Sequence, residues 1–117
     1  MRNDKDNLIV KLTIEFALEI VEYSEVLEEH RKYVIARQLL RSGTSIGANI
    51  HEAQNAESKA DFIHKLKIAA KEADETEYWL MLCELSKTYP GNEVLKEKLL
   101  SINNILSKII STSKKSH

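Results

Sequence analysis

The sequence predicts an all-α protein folded as an antiparallel up-and-down four-helix bundle. Apolar residues recur at three- and four-residue spacing over most of the 117 residues, which is the mark of amphipathic helices. One proline and three glycines leave few places for turns, so a few long helices are favoured over many short strands. The apolar stripes break only around residues 30, 55 and 90, and helices joined by short connections pack as antiparallel neighbours by default.

The first helix is expected over about 4–29. Ile9, Leu12, Phe16, Ile20, Tyr23 and Leu27 form one apolar stripe, and Val10, Ile14, Ala17 and Val21 form a second beside it. The remaining polar face is narrow, with Lys11, Glu15, Glu19, Glu22 and Glu29. A helix this broadly apolar buries more than one side. Either this helix lies centrally in the bundle, or Val10, Ile14, Ala17 and Val21 meet another copy of the chain.

The second helix is expected over about 31–54. Ile35, Leu39, Ser42, Ile46, Asn49 and Ala53 keep the helical spacing straight through the stretch RSGTSIGANIHEA, residues 41–53. A loop would lose that register, although glycine beside serine can also mark a kink near Gly43. Two interior glycines cost about 1 kcal/mol each relative to alanine. Close approach of a neighbouring helix to the bare backbone at Gly43 and Gly47 would offset that cost. Ser42, Ser45, Asn49 and Glu52 fall on one face as packing residues. A buried Asn49 would have to be hydrogen-bonded and would fix one packing register.

The third helix is expected over about 58–88. Ser58 with Asp61 three residues on is a helix start, because the hydroxyl can accept a free backbone N–H and the carboxylate favours the positive end of the helix dipole. Phe62, Leu66, Ala69, Ala73, Leu80 and Cys83 supply its stripe, and Tyr89-Pro90-Gly91 follows as a break. The fourth helix, about 92–112, carries Leu95, Leu99, Ile102, Leu106 and Ile109. The serine- and lysine-rich residues 113–117 are expected to fray. All four helices belong to one domain.

Composition and motifs argue against most chemistry. The lone Cys83 forms no internal disulfide and no cysteine-based zinc site, and its apolar neighbours suggest a packed thiol. A di-iron bundle needs two Glu-x-x-His motifs, whereas this chain has one Asp-x-x-His, Asp61 to His64, at a helix start. His51-Glu52 lacks the second histidine of a zinc-protease helix, and no general base accompanies the serines. The reading is a non-enzyme with no cofactor and no metal. MRNDKDN has no apolar signal-peptide core behind it, and no apolar run approaches the ~18 residues of a membrane span. The expected location is the cytoplasm.

Seventeen basic and eighteen acidic side chains do not make a protein that holds nucleic acid through its overall charge. A local basic face stays open. His64, Lys67 and Lys71 share a face of helix three, and Arg37 and Arg41 on helix two could extend it towards phosphates. The plainer alternative is a solvated face with ion pairs between helices or subunits.

Three separated motifs carry a resemblance. They are Ser42-x-x-Ser45-Ile46-x-Ala48-Asn49-Ile50-x-Glu52-Ala53, then Ser58-Lys59-x-Asp61-Phe62-Ile63-His64-Lys65-Leu66, then Lys71-Glu72-Ala73-x-Glu75-Thr76-Glu77-Tyr78-Trp79-Leu80. In this order the chain resembles the bacterial four-helix-bundle proteins related to those encoded in intervening sequences of 23S ribosomal RNA genes. The resemblance implies a ring, typically a homopentamer, without catalytic activity. One relative is an accessory to the reverse transcriptase of diversity-generating retroelements and contacts nucleic acid. Two expectations follow: a homo-oligomeric scaffold or interaction module, and alternatively an RNA- or DNA-binding accessory protein.

Overall fold

The computed structural model describes residues 4–115, with side chains from Leu8 onward. Four helices follow one another: α1 Asp4–Glu29, α2 Tyr33–Ala53, α3 Lys59–Leu85 and α4 Glu93–Lys115. Each packs against two neighbours, leaving α1 diagonal to α3 and α2 diagonal to α4. Contacts run in opposite senses along each adjacent pair. Ile20 lies against Gly43 and Thr13 against Gly47, Ser42 meets Thr76 and Glu52 meets Lys65, and Lys98 of α4 reaches Glu19 of α1. The result is an antiparallel bundle 50 Å long and 20 by 19 Å across.

The core contains the first α1 stripe, with Ile9, Phe16, Ile20 and Leu27 buried against Leu39, Ile46, Leu66, Leu80, Leu99 and Leu106. α2 is continuous through Gly43–Gly47. Its bare backbone admits α1: a Cβ built on Gly43 would stand 2.9 Å from two carbons of Ile20, and one on Gly47 would stand 3.2 Å from the Thr13 carbonyl. This close approach offsets the poor helix propensity of glycine.

Three helix ends differ from the sequence expectation. α2 begins at Tyr33 rather than about 31, because Arg31 adopts φ 62 and closes α1. The Lys32 N–H donates to the Leu27 carbonyl at 2.8 Å and the Arg31 N–H to that of Glu28 at 2.9 Å, a Schellman end built on a residue other than glycine. α3 stops at Leu85 instead of about 88, since the next core-facing position is the exposed Lys87 and no apolar side chain rewards another turn. α4 runs on to Lys115, so 113–115 are helical rather than frayed; Lys114 and Lys115 suit the negative end of its dipole. Residues 116 and 117 of the expected tail lie outside the described residues. The α3 start is capped by Ser58, whose Oγ accepts the Asp61 N–H at 3.0 Å, and Asp61 in turn accepts the Glu57 N–H at 3.2 Å.

Candidate functional site: two exposed apolar faces and a divided basic surface

Helix periodicity gives α1 two apolar stripes, and the core takes only one. Ile14 is 52% exposed and Val21 is also exposed, while Val10 and Ala17 are half-buried. Leu18 joins them at 61% exposure. It fell outside both stripes read from spacing, yet positions 14, 18 and 21 share one helical face. This face flanks the α1 residues that touch α2. Leu40, one turn before Gly43, is exposed on α2 and widens the patch.

A second apolar patch lies on α3 and α4. Tyr78, Met81 and Leu85 follow one another at helical spacing and all are exposed, Leu85 at 74%. Met81 shares a groove with Glu77, Leu80, Lys96 and Leu99. On α4 the neighbouring Leu100 is 60% exposed. Trp79 is only partly open. Its ring meets that of Tyr78 edge-on at 5.3 Å, and its indole N–H donates to Glu75 at 2.9 Å.

The packing residues of α2 do different jobs. Ser42 is buried, and its hydroxyl lies 2.9 Å from that of Thr76, which also lies 2.7 Å from the Glu72 carbonyl. This is the buried polar contact that sets α2 against α3. Asn49 does not fill that role: it is half-buried and donates to the Ser45 carbonyl of its own helix at 2.9 Å. Ser45 donates to the Arg41 carbonyl at 2.6 Å. Glu52 is exposed and pairs with Lys65 at 3.0 Å.

The basic residues do not form the continuous face anticipated across α2 and α3. Arg41 is engaged by Glu75 and, at 3.3 Å, by Glu72. Those carboxylates hold its guanidinium above the ordinary arginine value. The Trp79 N–H, with Arg41 second, keeps Glu75 below the usual carboxylate range. Arg37 is exposed but sits one turn before Arg41, level with residues near 79 of α3. At 1.5 Å per residue it is roughly 18 Å along the axis from Lys67. His64 and Lys71 are exposed on α3. Lys67 instead approaches Lys114 of α4, and the closeness and like charge of that second ammonium lower the Lys67 ammonium below its ordinary value. Positive charge therefore gathers between the start of α3 and the end of α4.

Among the described residues, no cluster of three His, Cys, Asp or Glu side chains is placed to hold a metal ion, and no helix is long and apolar enough to cross a membrane. Cys83 is buried, and burial pushes its thiol up, away from the reactive thiolate.

A family model for 23S rRNA-intervening sequence proteins matches residues 5–111. The chain belongs to the 23S rRNA-intervening sequence protein family. A solved structure agrees with this assignment: a protein of unknown function from the S23 ribosomal protein family of Bacteroides thetaiotaomicron, 46% identical. The alignment covers 92% of this chain and 98% of that one, with a TM-score of 0.86. No curated protein matches the chain. As a 23S rRNA-intervening sequence protein it shares the four-helix fold of that neighbour. Neither description names a reaction.

Proposed function

We propose that this protein is a non-enzymatic, cytoplasmic homo-oligomer, a pentamer in the manner implied by its family resemblance, that serves as a scaffold or interaction module. The exposed Ile14, Leu18 and Val21 on a helix whose other side is already core carry this reading. Fully burying one such side chain contributes about 1.5–3 kcal/mol, and these are already partly covered. One stripe therefore contributes several kcal/mol, against an association cost of about 4–15 kcal/mol. The apolar surface that the stripe covers on its partner contributes a similar amount, so one contact holds two copies together at high concentration.

Sedimentation or light scattering at micromolar concentration tests it. The wild type is expected to run as an oligomer. Leu18→Glu is expected to run as a monomer of unchanged helicity, because a carboxylate cannot be desolvated there without a partner. A monomeric wild type would overturn the proposal.

A second reading, RNA or DNA binding, draws support from the like-charged approach of Lys67 to Lys114, which an anion would relieve. It differs from the face anticipated in the sequence by losing Arg41 and gaining α4. Repetition around an assembly would multiply a weak site through effective concentration. Binding should then fall steeply with salt and fall further in Lys67→Glu/Lys114→Glu. No shift of a duplex or single strand at low salt would remove this reading.

A further inference from the structure

Two apolar patches on diagonal helices are difficult to cover with one symmetric contact. A two-fold interface pairs the same surface with itself, whereas a head-to-tail interface joins two different surfaces. The α1 patch comprises Ile14, Leu18 and Val21; the other comprises Tyr78, Met81 and Leu85 with Leu100. α1 and α3 lie diagonally across the bundle, so their outward-facing patches point in different directions.

Their positions along the bundle match. Lys98 reaches Glu19, next to Leu18, and Lys96 reaches Glu84, next to Leu85. Residues 96 and 98 differ by only about 3 Å in height, and each patch extends about 10 Å along its helix. α1 and α3 also run in the same direction, since each is antiparallel to α2. A neighbour placed with its axis parallel could therefore bring one patch onto the other with little axial shift. Small axial shift favours a closed ring, while a large one gives a filament.

Resting on the oligomeric reading above, we infer that the α3–α4 patch of Tyr78, Met81, Leu85 and Leu100 is the docking surface for the Ile14–Leu18–Val21 stripe of a second copy of this chain. The interface is heterologous. Each subunit gives its α1 stripe to one neighbour and its α3–α4 patch to the other. Leu18 and Leu100 are its most informative probes, because both are exposed in the lone subunit and neither supports the core.

Mixing two variants tests it. Leu18→Glu disables the stripe and Leu100→Glu disables the patch, so each alone is expected to sediment as a monomer. Mixed at equal and high concentration, they retain one intact stripe and one intact patch between them. The expected product is a one-to-one dimer that grows no further. Tyr78→Lys serves as a second patch variant, and circular dichroism confirms which variants are folded. Patch variants that assemble like the wild type, while Leu18→Glu does not, would overturn the head-to-tail contact and leave the oligomer standing. Folded monomeric variants that yield no dimer on mixing would overturn it as well. A monomeric wild type would overturn both readings.

Discussion

Replacing Gly43 by valine is expected to lower the unfolding free energy by about 3 kcal/mol. A Cβ at this position stands 2.9 Å from Cγ1 and Cγ2 of Ile20 and 3.1 Å from its Cδ1, whereas carbon atoms prefer about 3.5–4.0 Å. Ile20 cannot easily give way. It is fully buried, and a β-branched side chain on a helix has essentially one favoured rotamer. Alanine brings the same Cβ but gains about 1 kcal/mol of helix propensity over glycine, so Gly43→Ala should cost less than valine. Ile20→Ala alone should cost about 2–5 kcal/mol through the cavity it leaves. In that background Gly43→Ala should turn stabilising, because the clash is gone and the propensity gain remains. Urea unfolding at one fixed protein concentration reads all four proteins of the cycle. Additive effects of the two substitutions would show that Gly43 is not placed for close packing against Ile20.

The second large effect is expected at Tyr23, which ties α1 to the α3–α4 connection. Its hydroxyl donates to the Pro90 carbonyl at 2.9 Å, and the Asn92 amide lies 3.4 Å from it while donating to the Leu80 carbonyl at 3.1 Å. Tyr23→Phe should cost about 1–2 kcal/mol near neutral pH, the range for losing a partly buried hydrogen bond and leaving an acceptor unpaired. A larger consequence appears in alkali. Burial, followed by smaller effects that include Cys83, raises the Tyr23 hydroxyl well above the ordinary tyrosine value. A raised folded value means the folded chain keeps its proton after the unfolded chain has lost it. Its contribution is complete below the unfolded value near ~10 and declines as pH rises from there towards the folded value, by up to about 1.4 kcal/mol per pH unit. Tyr23→Phe removes this dependence. Unfolding midpoints measured from pH 8 upward should therefore converge for wild type and variant. Parallel lines across that range would count against a buried, neutral Tyr23.

Each helix's phase is written in its own sequence. Successive residues turn by a fixed angle, so Ile9, Phe16, Ile20 and Leu27 share a face whatever surrounds them. The second stripe of α1 was legible for the same reason, as was the Ser58 cap, which needs only residues three apart. The small residues of 41–53 likewise indicated a helix with a bare face, because their register survives the glycines.

What the tertiary structure decided depends on which residues stand opposite one another. Arg41 could serve either a phosphate-facing surface or an ion pair between helices until packing placed Glu72 and Glu75 of α3 within its reach. Lys67 and Lys114 are 47 positions apart in sequence and met only once α3 and α4 paired. Arg31 closes α1 in a left-handed conformation that no glycine announced. The matching heights of Leu18 and Leu85 show only in the folded register, where Glu19 lies against Lys98 and Glu84 against Lys96. Backbone geometry fixes which side chains share a face, so a sequence can display it; register and neighbour order come from burying all the faces at once, and only the folded chain holds that information.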